Sequence, residues 1–464
     1  MIDRQTPPLM NQLTSLLSIA ALSAILSSCA DSQGKEPMTS AARVEAGALA
    51  IPKMQERTAD IGAPEERDHL LDVYDNARIK LEKNAEDWDS WLRMSEAFIT
   101  EARVTGTHGY NYGQALTILD HVLSHPELNT DVKSQALTLK ATILLSQHQF
   151  NDALPLGLEA VKLDPYRAYN YGVLVDAYTE LGQYDSAVAM CDRMVTIRPD
   201  LRSYSRVSYQ REIHGDIQGA IDAMDRAVKA GATGLEETSW CRVQLGGLYE
   251  RSGDLKQAEE QYTLSVAERK NYPFGMAALG RIEGKRKNYA EAEKQLQAAI
   301  AVMPDASFYE ELARVYAAQS KTEGYDEAVR NAGKVLVGLA KGGEGHSHQV
   351  GLEMARFQLE FMKDYDNALT NAEHEATHRA GNIDVNTVLA AIHNAQGYIT
   401  KAEADLAQAE RTGSRDAYLM CIHGLVLLKK GERAKGTALL RESLERDPYQ
   451  NHAFAVEARN LVQG

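Results

Sequence analysis

The chain has 464 residues, 44% of them apolar and 25% charged, an ordinary balance for a folded soluble protein. Its formal net charge is −15 and is spread along the sequence, which sets it against phosphate backbones and argues against nucleic acid as a partner. Cys191, Cys241 and Cys421 are far apart and form no CxxC pair. That excludes a disulfide framework, and each falls in a helical pattern as a small buried hydrophobe.

The N-terminus reads as a separate object. Leu13 to Ile25 is an apolar run too short to span a bilayer and suited to a signal-peptide core. It ends in Leu26-Ser27-Ser28-Cys29, which resembles the bacterial lipobox. Arg4 is the sole basic residue before the run, and Met10 is an alternative start. The resemblance implies lipidation at Cys29, with residues 1–28 removed. It also implies a bacterial cell-envelope location, and Ala30 at the next position implies the outer membrane. Acyl chains on one cysteine tether a protein without any spanning helix. Residues 29–64, rich in Ser, Ala, Gly, Pro and Glu, read as a flexible tether.

From Pro64 the pattern turns helical. Leu70, Leu71, Tyr74, Ile79 and Leu81 predict a leading helix. A repeat follows. Pro165 and Pro199, Ala153 and Ala187, Ala258 and Ala292, Gly246 and Gly280, and Ala402 and Gly436 are each 34 residues apart. A fixed period of that length means stacked helical hairpins, none of which buries its apolar face alone. The clearest unit has Leu174, Tyr178, Gly182, Tyr184, Ala187 and Pro199; a second has Leu245, Gly246, Tyr249, Gly253, Leu255, Ala258 and Tyr262. These residues resemble the tetratricopeptide repeat. Small residues let two helices approach, an aromatic fills the space beside them, and proline ends the second helix. The predicted fold is all-α, a right-handed α-solenoid of about ten such hairpins.

Three stretches break the period. Arg103 to Gln114 is expected to expand the turn inside the first unit, and Ser320 to Tyr325 to insert about three residues in another. Gly338 to Gly351 reads as a Gly/His-rich loop and a possible hinge. It divides an N-terminal array with its leading helix (65–337) from C-terminal units (352–464).

Catalytic motifs are missing: there is no Walker or Rossmann glycine loop, no GxSxG and no HExxH. No enzyme activity and no cofactor are expected. Two histidine pairs, His121 with His125 and His374 with His378, have the i, i+4 spacing that can chelate a transition metal, and His346 and His348 sit in the Gly-rich loop. No third ligand is evident for any pair, so a metal-handling accessory lipoprotein is the runner-up reading. A SusD-like glycan-binding lipoprotein ranks lowest, because this array is regular.

In tetratricopeptide arrays the first helices line the concave face. Aligned on the repeat, Tyr169, Asp176, Arg206, Gln210, Trp240, Arg281, Lys285, Glu310 and Arg314 fall on or near it. Arginine and aromatic residues are frequent interface anchors. The asparagines of the carboxylate clamp found in chaperone-tail binders are absent from the matching positions. The reading is a non-enzymatic adaptor, held at the envelope by Cys29, with a protein partner on its concave face.

Overall fold

The computed structural model describes residues 49–57, 60–341 and 350–463. Cys29, the signal segment, the first part of the tether, His346 and His348 lie outside the described residues. Helix α1 (Pro64–Leu81) leads. The first five hairpins are α2 (Trp88–Thr105) with α3 (His108–Leu123), α4 (Thr130–Ser146) with α5 (Phe150–Leu163), α6 (Ala168–Glu180) with α7 (Tyr184–Ile197), α8 (Leu201–Ile213) with α9 (Ile217–Ala230), and α10 (Glu236–Arg251) with α11 (Leu255–Glu268). The next five are α12 (Pro273–Lys285) with α13 (Tyr289–Val302), α14 (Ala306–Ala318) with α15 (Thr322–Lys341), α16 (Gly351–Phe357) with α17 (Tyr365–Arg379), α18 (Ile383–Gln396) with α19 (Ile399–Ala409), and α20 (Ala417–Lys430) with α21 (Arg433–Arg446). Helix α16 continues through a π-helical turn, Gln358–Met362, and α22 (Ala453–Gln463) closes the array. The protein is an all-α solenoid.

The repeat residues act as their types require. Ala153, Ala187, Ala220, Ala258, Ala292, Ala368 and Ala402 are completely buried where paired helices touch. Pro165, Pro199, Pro304 and Pro448 each lie two residues past the end of a second helix, where the missing N–H ends the ladder. Cys191, Cys241 and Cys421 are free and buried, as expected.

The expected loop expansions are corrected. Helix α2 runs to Thr105 and α3 starts at His108, so the extra residues of the first unit lengthen its helices. The three extra residues before Tyr325 form an added first turn of α15. That helix also continues through Gly338 to Lys341, which shortens the predicted Gly/His-rich loop.

The tether reading is also corrected for its last part. Residues 49–57 and 60–63 form an extended strap on α1, α2 and α3. Met54 and Ile61 are buried, and the Tyr74 and Tyr110 hydroxyls donate to the Pro52 and Lys53 carbonyls at 2.7 and 2.5 Å. The Arg57 guanidinium donates to the buried Glu101 carboxylate at 2.8 Å.

The solenoid winds back onto itself with a fixed register. The turn inside one hairpin meets the link that follows the hairpin five further on. In the first hairpin, Gly106 lies against Met303. In the third, Gly182 meets Gly381, and Arg411 donates to the Gly182 carbonyl. In the fourth, Gly215 faces Gly413 and Arg415; in the fifth, Gly253 faces Pro448. These turn glycines all have positive φ, which matches the αL exit of a first helix. The strap obeys the same register. It takes the place of a first helix before α1, Gly62 (φ +77°) is the turn, and its N–H donates to the Lys270 carbonyl at 2.9 Å. The Arg269 side chain, completely buried, grips both Glu66 oxygens at 2.8 and 3.0 Å.

Candidate partner-binding lumen

The first helix of each hairpin points one face inward, because its neighbours cover the others. At i, i+3, i+4 and i+7 spacings this face carries Tyr169, Asp176 and Glu180 on α6, Arg202, Arg206 and Tyr209 on α8, and Glu236, Glu237 and Trp240 on α10. Together with residues of hairpins eight and nine, these side chains line a cavity of about 750 Å³. The opposite wall is Leu352, Glu353, Arg356, Arg379 and Asp384.

Arginine–carboxylate pairs tie successive first helices together. Arg206 on α8 donates in two places to Asp176 on α6, at 2.8 and 2.5 Å. Arg202 pairs with Glu237 on α10, and its guanidinium lies 4.2 Å over the Tyr169 ring. Arg251 on α10 reaches Glu212 on α8 at 2.5 Å. On the next helix, Arg281 donates to both oxygens of Glu250 at 2.8 Å, and Lys285 binds the same carboxylate at 2.9 Å. Arg314 on α14 reaches Glu360 in the π-turn at 2.8 Å. Planar two-point contacts of this kind fix the angle between neighbouring hairpins as well as their charge balance.

The predicted surface residues therefore separate into two sets. Tyr169, Asp176, Arg206 and Trp240 line the lumen. Gln210 is buried and donates to Thr179 at 2.7 Å, between α8 and α6. Lys285 has a side chain only 6% exposed, held by Glu250 and by Asp447 of the second arm. Arg281 and Arg314 are engaged with Glu250 and with Glu311 and Glu360. Those cations join neighbouring elements. The lumen also contains Tyr209, Glu180, Arg379 and Asp384, which the sequence reading did not place there. Tyr209 lies one helical turn beyond Arg206 and could have been found by extending the stripe. Arg379 and Asp384 come from hairpins five units away, and no local pattern marks them.

Burial shapes the titration of these groups. It pushes Glu180 up to about 7, against the pull of Arg379, and Glu310 up to about 8, against that of Arg314. Burial would also raise Glu250, but Arg281, Lys285 and the Tyr262 hydroxyl outweigh it and hold this carboxyl far below the usual range. Burial pushes the thiols of Cys191, Cys241 and Cys421 up to about 12, which leaves them as packing groups rather than nucleophiles.

The histidine pairs have other neighbours. His125 packs on Trp88 with ring centres 4.3 Å apart, and His121 lies 5.5 Å from Trp91. The His374 and His378 rings are 5.0 Å apart. Among the described residues, no group of three or more His, Cys, Asp or Glu is placed to hold a metal ion. Among those residues, no helix is long and apolar enough to cross a membrane.

Residues 168–201 match the tetratricopeptide-repeat family model. The chain carries a tetratricopeptide repeat. The matched segment is hairpin α6–α7 with its closing proline. Similar solved structures include the Cut9–Hcn1 hetero-tetramer of the APC/C, with 16% identity and a TM-score of 0.42, over 82% of this chain and 64% of that one. This chain thus spans less than two thirds of that chain. PilF of Pseudomonas aeruginosa is similar over 46% of this chain and 95% of its own, with 14% identity and a TM-score of 0.38. The human IFIT1 dimer, solved with m7Gppp-AAAA, is similar over 82% of this chain and 86% of its own, with 12% identity and a TM-score of 0.44. No curated protein matches the chain by sequence.

Proposed function

We propose that this tetratricopeptide array is a non-enzymatic scaffold that holds a partner polypeptide in its lumen. The observation that carries the proposal is Trp240. It lines the lumen yet remains 41% exposed, and Tyr209 beside it on α8 remains 38% exposed. Most of the charges around them are paired within the array, whereas these two aromatics have uncovered apolar area. A large aromatic in a walled recess is the usual anchor of an interface.

The Cys29 motif supports a further part of the proposal, a lipid tether holding the array at a bacterial envelope membrane, with the partner resident there. The partner is sought by pull-down from detergent-solubilised membranes. Trp240→Ala with Tyr209→Ala should abolish recovery of a partner that wild type and the outer-surface variant Lys256→Ala both retain. Equal recovery by all three would reject the lumen as the binding surface. The tether has its own readout: Cys29→Ser should move the protein from the membrane pellet to the soluble fraction and abolish incorporation of labelled palmitate.

A further inference from the structure

The lumen has two walls that belong to different arms. Hairpins one to six form one wall, and hairpins eight and nine form the other. Each arm has its own apolar core. One large cluster joins the strap to α1–α4, and another joins α16 to α22. The seam between the arms is built differently. Among the described residues, one small apolar cluster crosses it: Tyr184, Ile213 and Ile383.

The rest of the seam is polar. Arg379 donates to Glu180 at 2.8 Å, and the Asn382 side chain donates to the Glu180 carbonyl at 2.9 Å. The Ile383 N–H donates to the Tyr184 hydroxyl at 2.8 Å. The Arg411 guanidinium spans the Gly182 and Gly381 carbonyls and lies 4.8 Å over the Tyr184 ring. Two rungs on, Lys285 faces Asp447 at 3.8 Å. Contacts of this chemistry can exchange for water at little net free energy, whereas the arm cores cannot. Arg379 belongs to both structures: it holds Glu180 across the seam and lines the cavity.

We propose that the seam is a latch. Hairpins eight to ten swing away from the turns of hairpins three to five, about hairpins six and seven, and the lumen opens between the arms. A ligand in the lumen reaches Arg379 and so acts directly on the latch. This goes beyond the scaffold reading and does not depend on which partner fills the lumen.

The test uses the full chain without any partner, in a Cys29→Ser background. Spin labels are placed at Asp192 on α7 and Lys401 on α19, both on exposed positions of second helices in the two arms. Pulsed dipolar spectroscopy then reads the distance between the arms. At low salt the wild-type distribution should have one narrow component. At about 1 M salt, which stabilises the charges that opening separates and exposes, a second and longer component should appear. Arg411→Ala combined with Asn382→Ala should populate that component at low salt, with unchanged helical circular dichroism. A single narrow component under both conditions would overturn the latch. If the double variant does not fold, the wild-type salt series alone decides.

Discussion

Gly182 and Gly381 meet backbone to backbone, although 199 residues separate them. A Cβ on Gly182 would lie 2.2 Å from the Gly381 carbonyl carbon, 2.3 Å from its oxygen and 2.7 Å from the Asn382 nitrogen. Gly182 also has φ +72°, so its own turn favours the same residue. One position therefore serves both the hairpin and the closure of the solenoid.

These two demands can be separated. Gly397 has φ +81° and open space around a built Cβ. Gly397→Ala should cost only the left-handed backbone term, about 1–2 kcal/mol. Gly182→Ala should cost that and the displacement of the second arm. Denaturant unfolding should show the larger loss at Gly182, and equal losses would mean that the closure contributes nothing to stability.

Arg269 and Glu66 anchor the first turn of α1, directly after the strap, to the link after the fifth hairpin. The arginine side chain is completely buried, so removing its partner leaves an uncompensated charge. Glu66→Ala should destabilise by about 3–5 kcal/mol, and the strap should become a site of early proteolysis. Replacing both residues with apolar ones of similar volume should recover much of that loss. A double-mutant cycle with a coupling energy near zero would refute this account.

Glu250 is the buried carboxylate shared by Arg281, Lys285 and Tyr262. Its folded-state pKa is depressed, so its contribution is complete above the unfolded carboxyl value of about 4.3. That contribution disappears as pH falls towards the folded value. Glu250→Gln should cost about 3–5 kcal/mol near neutral pH. Unfolding curves of variant and wild type should converge as pH falls below about 4. A gap that stays constant down to acid would show that the charge is not what matters.

His452 is also held below its ordinary value, but here the fold keeps the neutral form. Its Nδ1 accepts the Ala455 N–H at 3.2 Å and so caps α22, while Nε2 lies 2.8 Å from the Gln450 amide oxygen. The cap requires a neutral ring. Burial, with Arg314 and Arg459 nearby, lowers its pKa to about 3. The unfolded chain takes up this proton near pH 6.5 and the folded chain does not, so stability should fall from about pH 6.5 towards 3. The slope should flatten in His452→Asn. A His452 imidazole resonance titrating near 6.5 in the folded protein would contradict this.

Much of the candidate site was legible because repeat stripes are local. Tyr169, Asp176, Arg206 and Trp240 follow from helical spacing within one unit, and they line the lumen. Lys285 follows from the same spacing, but it is claimed by Glu250 on the preceding first helix and by Asp447 at the far end of the array. Ile79 illustrates the same limit: it fits the stripe of the leading helix yet is 42% exposed. Periodicity marks a face without saying what covers it.

The hairpin, its period and about ten copies are written in the residue pattern, because each unit packs on its neighbours through residues at fixed offsets. Small alanines at the helix contact and prolines past the second helix are nearest-neighbour requirements, and they recur every 34 residues. That the solenoid closes with a register of five hairpins emerges from the folded chain. Closure is the sum of small rotations between units, each set by side-chain geometry such as the Arg206–Asp176 and Arg281–Glu250 pairs. That sum brings Glu180 to Arg379 and Glu66 to Arg269 across about 200 residues, where no local pattern can link them.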